Sequence, residues 1–345
     1  MTEPDNHRHW DDASRGVYEV WYTTWNHPGT DQGYWLRFIT EAPFPGSGGS
    51  PPYGEAPRAE LWFARFDPRH PDRTFGIHKR FRSELLTTSN SPFTIRISGC
   101  ELGHAHSFGE LSGGGHDVRW DLHWEPAART LHQLPDAMYA NGGLGETTVQ
   151  SPNPRVPISG TLLIDGEELT FDRAIAGQTH LWGKKHEYSW TWGRCAELAG
   201  SSDGLLELLG VKLQRGGVTS PPMTLISLDL DGERHRMNQF RHLATNRSSW
   251  TTARVTFSAW SPSVKIEGEL TCEPHDMVNA PYLDPDGTAV HCANTEIGDA
   301  RIKVWKRSGL RWREHKTLEG RKRAHFEIGG RERDEHVTRP HVLVS

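Results

Sequence analysis

The chain has 345 residues, 24% of them charged, with both signs mixed along its length and a formal net charge of -5. No basic face stands out, which argues against a nucleic-acid partner, and no apolar run approaches the roughly 18 residues that span a bilayer. The N-terminal MTEPDNHRHWDD is polar and lacks a signal-peptide core, so a cytoplasmic protein is expected.

In chain order, the first departure from a strand-like pattern is the Pro/Gly/Ser-rich stretch 42–57, read as a long loop or flap. His116–Trp124 alternates with period two: Val118, Trp120, Leu122 and Trp124 share one face, and Arg119, Asp121 and His123 the other. Asp165-Gly166 separates Leu162-Leu163-Ile164 from Leu169-Thr170-Phe171, a strong hairpin signal. Leu205–Leu213 reads as a strand from its neighbours. Asp231-Gly232 marks a second hairpin, residues 252–260 and 264–272 alternate again, and Asp286-Gly287 makes a third turn. Sequential strands joined by tight turns indicate antiparallel sheets, whose edges are best removed by closing into barrels. The length exceeds what one core usually serves, so two β domains are expected, divided near Asp172 into 1–172 and 173–345.

Several motifs are weak. Gly200-Ser201-Ser202-Asp203-Gly204 matches the nucleophile elbow in letters, but it lies among strands without the following helix that motif needs. The region Gly177–Lys185 fails as a phosphate loop, because five residues separate its glycines and Lys185 stands where Ser or Thr is required. Twenty histidines invite a metal. Yet His116 and His123 have opposite parity in one strand, and no recognised ligand spacing accompanies His104 and His106. No metal is expected. The four cysteines are far apart, form no CxxC pair, and read as buried thiols.

The densest stretch is Gly177–Cys195, GQTHLWGKKHEYSWTWGRC. On a strand, Tyr188, Trp190 and Trp192 share a face, with Arg194 on the same side. An aromatic row ending in a charge suits a pocket for a large apolar ligand, although core packing explains any single indole equally well.

Leu181-Trp182-Gly183 followed by Trp190-Thr191-Trp192-Gly193-Arg194-Cys195 resembles the W-G…W-x-W-x-x-C signature of tocopherol cyclase. It is also similar to the wider group of carotenoid 1,2-hydratases, AttH-like proteins and lipocalin-like Diels–Alderases. Gly33-Tyr34-Trp35-Leu36-Arg37-Phe38 is similar to the group's early strand, and Cys292–Glu296 leading into Arg301–Trp305 to its near-terminal one. The resemblance implies an all-β fold of two consecutive lipocalin-like antiparallel β-barrels. It further implies a hydrophobic ligand within or between them and cofactor-free chemistry on polyenes, prenyl chains or polyketides. In the hydratase and AttH-like branches an Asp-His pair precedes the Trp-Gly; here the pair is Thr179-His180.

The expected function is a cyclase, isomerase or hydratase of a large terpenoid or polyketide. A non-catalytic carrier is the leading alternative, and a metal-dependent oxygenase rests on histidine abundance alone. His180 is the first candidate for the acid and Glu296 the second, followed by Glu187 and Glu146. Trp35, Trp182, Trp190 and Trp192 are the candidate walls, with Tyr188 and Arg194 as further substrate contacts.

Overall fold

The structure, a computed structural model, describes residues 2–50, 52–139 and 146–344. Among these residues, thirteen strands form one sheet and ten form another, with a separate short two-stranded ribbon. The first sheet contains Val17–Asn26, Gly33–Ala42, Arg58–Phe66 and Phe75–Arg82, the meander from Leu86 to Trp124, and the long hairpin Thr147–Ile164 with Glu167–Gly183. The second is built from Ser189–Cys195, Leu205–Lys212, Met223–Leu230, Glu233–Met237 and the strands from Arg247 to Gly330.

Local chemistry explains the turns. Asp165 and Asp231 sit at φ of 51° and 56°, each followed by glycine at positive φ. Asp tolerates the left-handed region and glycine enters it freely, so both pairs turn the chain in two residues. Gly200–Gly204 is a polar turn: Ser201 donates to Asp203 at 2.8 Å, and Asp203 accepts the Gly232 amide.

Each sheet curls around its own apolar core. Trp21, Trp25, Phe38, Phe63, Trp120 and Ile158 fill the first; Leu208, Ile226, Phe257, Ile302 and Phe326 fill the second. The hydrogen-bonded paths stay open. In the first sheet the end strands are His341–Val344 and Leu86–Asn90. Val344 nevertheless packs against Gly113, where any Cβ would fall 2.4 Å from its own. In the second sheet the gap between Met223–Leu230 and Arg247–Thr251 is bridged by side chains, with Thr224 and Ser248 hydroxyls 2.7 Å apart and Asn246 donating to the Thr224 and Met237 carbonyls. The arrangement is two lipocalin-like units whose ladders are left open where closed barrels were expected.

The expected division after Asp172 falls inside the strand Glu167–Gly183, both halves of which pair in the first sheet. The chain enters the second sheet only at Ser189. It returns at its end, where His341–Val344 pairs in parallel with Phe75–Arg82.

A third apolar layer lies between the sheets. It contains Tyr18, Tyr22, Trp35, Ile39 and Trp62 from the first sheet with Trp190, Trp192, Val290 and Cys292 from the second. Strands bordering it are covered on both faces, so Gly33–Ala42 and Arg58–Phe66 are buried at every position. In Gly33–Ala42 the even positions Tyr34, Leu36 and Phe38 enter the first core, while Trp35, Arg37 and Ile39 face the second sheet. This face carries the site.

Candidate functional site

Where the two sheets diverge they leave a cavity of about 770 Å³, within the range of small-molecule sites. Five strands supply its aromatic and charged end: Tyr18 and Tyr22 from Val17–Asn26, Trp35 and Arg37 from Gly33–Ala42, Trp190 and Trp192 from Ser189–Cys195, Tyr282 from Val278–Leu283, and Glu327 from Arg311–Gly330. Leu209, Val211, Met223 and Leu225 form an aliphatic wall from two adjacent strands of the second sheet. Leu181, Val149, Leu134 and Met138 close the first-sheet side, and the half-exposed Phe240 stands at the edge.

Both indole N–H groups of the row are already satisfied. Trp190 donates to Glu327 Oε1 at 2.7 Å and Trp192 to Glu207 Oε2 at 3.2 Å, which fixes the rings without using a ligand. Trp190 lies over its cross-strand partner Gly329, where a Cβ would sit 2.1 Å from the ring. Trp192 meets Tyr22 edge-on, with centroids 5.6 Å apart.

The polar end is organised by Asp284. Its carboxylate accepts from the His186 amide at 3.0 Å, contacts His186 Nδ1 at 2.6 Å, and accepts from Arg331 at 2.8 Å. Burial alone would raise this carboxyl, but the hydrogen bonds from His186 and Arg331 hold it below its ordinary value. His186 in turn stacks between Tyr18, Trp190 and Tyr282, with centroids 4.8 to 5.2 Å away. Glu187 follows His186 and lines the cavity. Burial, then repulsion from Glu146, pushes its pKa up to about 7, against a weaker opposing pull from Arg331. The cavity therefore holds a carboxyl group protonated for a large fraction of the time near neutral pH, beside a second carboxylate, Glu146, on the same lining.

The residues expected from sequence divide between this cavity and other places. Trp35, Tyr188, Trp190, Trp192, Glu187 and Glu146 line it. His180 does not; it points into the first sheet on the opposite side of its strand from Leu181, which does line the cavity. Its Nε2 lies 2.8 Å from Glu19 and its Nδ1 2.8 Å from the Asp5 carbonyl, and its ring stacks on Trp21 at 4.6 Å. Trp182 shares that face and stacks on His9 at 3.9 Å. Thr179, which precedes His180, bonds Ser151 Oγ at 2.8 Å.

Glu296 is fully buried in the contact between the sheets. A Cβ on Gly33 would fall 2.5 Å from its carbonyl oxygen, and Asn26 donates to that same oxygen at 2.7 Å. Its carboxylate lies 3.0 Å from His325, which contacts Thr24 at 2.8 Å and Asn26 at 2.6 Å. Burial pushes Glu296 up and His325 down, favouring an uncharged pair. Arg194 leaves the row as well: it donates to the Pro154 and Ala176 carbonyls and lies 3.3 Å from Glu207. A guanidinium does end the aromatic row, but it belongs to Arg37. The sequence signal for it was a lone charge between apolar residues at i±2, Trp35 and Ile39.

His104, His106 and His116 each contact different partners. His104 contacts Asn6 and Thr2, His106 contacts Glu101 and His116 contacts Asp165. Among the described residues no group of three or more His, Cys, Asp or Glu side chains converges as a metal site would require, and no helix is long and apolar enough to cross a membrane.

Solved structures share this fold at low identity. An AttH-like protein of Nitrosomonas europaea superposes with a TM-score of 0.59 at 12% identity, over 95% of this chain and 96% of that one. CghA bound to Sch210972 gives 0.52 at 11% identity, over 91% and 88%, and kievitone hydratase from Nectria haematococca 0.50 at 10%, over 90% and 88%. A search among curated proteins gives no match. The tocopherol cyclase-like family model matches residues 15–330. That match spans both sheets and the cavity between them, and the chain belongs to the tocopherol cyclase-like family.

Proposed function

We propose that this protein is a cofactor-independent enzyme that protonates an alkene of a large apolar terpenoid or polyketide, and so hydrates or cyclises it, with Glu187 as the acid. The supporting observation is the placement of the Glu187 carboxyl on the wall of an aromatic cavity of about 770 Å³, beside Glu146, where burial and that neighbour push its pKa up to about 7. The family is named for a cyclase, and one structurally similar protein is named a hydratase. Glu187 gives its proton to one alkene carbon, leaving a cation on the other. A water molecule or a substrate hydroxyl then adds its oxygen to that cation, and the proton it loses passes to Glu146 or back to Glu187. The face of Trp192, which Tyr22 meets only edge-on, stabilises the cation by about 0.5–2 kcal/mol, while Trp35 and Trp190 already carry Arg37 and His186 and shape the wall. His180 and Glu296 hold the fold and the contact between sheets, outside the reaction.

Glu187→Gln should retain ligand binding and lose turnover by about 10²–10⁴-fold, the usual size of general acid catalysis. His180→Gln, compared at matched folded fraction, should keep its turnover. Unchanged turnover in Glu187→Gln would remove the acid. Tight ligand binding by a wild type that converts none of its ligands would favour the carrier.

A further inference from the structure

Arg37 is 4% exposed and lines the cavity. Its guanidinium stacks against Trp35 at 4.7 Å, Tyr282 at 4.8 Å and Trp62 at 5.6 Å, and its Nη1 donates to the Tyr282 hydroxyl at 2.6 Å. Its Nε is buried with no hydrogen-bond partner. The other buried arginines around this layer have carboxylates: Arg58 has Glu41 at 2.6 Å and Glu60 at 3.1 Å, Arg65 has Glu167 at 3.0 Å, and Arg194 has Glu207 at 3.3 Å. Arg37 has none among the described residues. Glu41, on the same face of its own strand, is taken by Arg58. A buried guanidinium carries five N–H donors and stays charged, so leaving it unpaired is costly unless a partner arrives.

We infer that the ligand supplies this partner: an amphiphile whose apolar body lies along the aromatic row and whose anionic head, a carboxylate or an acidic enolate oxygen, is received by Arg37 beside Tyr282. The inference rests on the apolar-cavity reading above and adds the polarity of the ligand and its orientation. One planar guanidinium suits a planar monoanion, which it can engage through two parallel hydrogen bonds.

Retinoic acid and retinol share one polyene body and differ in the head, so they separate the two claims. Saturable quenching of tryptophan fluorescence, read at about pH 8 where the carboxylate is ionised, gives both affinities. The wild type should bind the acid at least about tenfold more tightly, as a charged hydrogen-bonded pair warrants. Arg37→Met should lose that preference while still binding retinol, and Arg37→Gln decides in the same way should the methionine variant not fold. Arg254→Gln, an exposed arginine outside the cavity and paired with Glu269 at 2.8 Å, should keep the preference. Equal binding of both probes by the wild type would overturn the anion site and leave the cavity reading standing. A preference that persists without Arg37 would overturn it too. Failure of both probes to bind would remove the cavity reading, and this inference with it.

Discussion

Glu187 sits where burial and the Glu146 carboxylate both disfavour its charge, so its proton is held up to about pH 7. Two pH effects follow with definite signs. As an acid it must be protonated, so turnover at saturating ligand should be full below about 7 and fall as pH rises through it. For stability, the unfolded carboxyl ionises near its ordinary 4.5, while the folded one keeps its proton to about 7. Across that window the folded chain binds the extra proton, so stability falls as pH rises. Glu187→Gln should flatten this slope in thermal melts without abolishing it, because burial also raises Glu207 to about 7 and Glu41 to about 8. A pH–turnover profile flat from about 6 to about 8, on either side of the Glu187 pKa of about 7, would count against its role as acid.

The elements were legible in the sequence to the degree that one of their faces meets water. His116–Trp124 alternates legibly because its odd positions are exposed and Val118, Trp120, Leu122 and Trp124 are buried. Arg254–Trp260 likewise buries Val255, Phe257 and Ala259 between exposed or half-exposed neighbours. The cavity strands Val17–Asn26, Gly33–Ala42 and Ser189–Cys195 are covered on both sides, so their pattern loses its period and says nothing about which face holds what. Tyr18, Tyr22 and Arg37 were therefore missed, and Tyr282 lies on a short strand, Val278–Leu283, with no alternating pattern. His180 and Trp182 drew attention by motif, while Leu181 between them supplies the cavity wall. The parity of a strand is readable from sequence; which parity faces a second sheet is a tertiary fact. The contact of the two sheets is also testable at this scale. Gly33→Ala would drive a methyl group to 2.5 Å from the Glu296 carbonyl oxygen, a backbone atom held by the buried Asn26 amide at a bulge in its strand. A loss of about 1–3 kcal/mol is expected from such overpacking, measurable by denaturant unfolding. A neutral effect would mean that the sheets are held apart more loosely than this contact implies.

At the scale of the whole molecule, two curled sheets each own a core, and a third layer between them owns the site. The C-terminal strand His341–Val344 crosses back to pair with the first sheet, and His341 packs against Trp62 with centroids 4.5 Å apart. The second unit is thereby fastened to the first on the same layer that lines the cavity. The geometry of the site depends on how the two sheets dock, since Trp35 and Trp190 reach it from different sheets. A crystal structure of the protein grown with retinoic acid tests this most directly. The account predicts density for the polyene between Trp35, Trp190, Trp192 and Leu209, with its carboxylate on Arg37. Density inside the core of either sheet, or only on the outer surface, would contradict it.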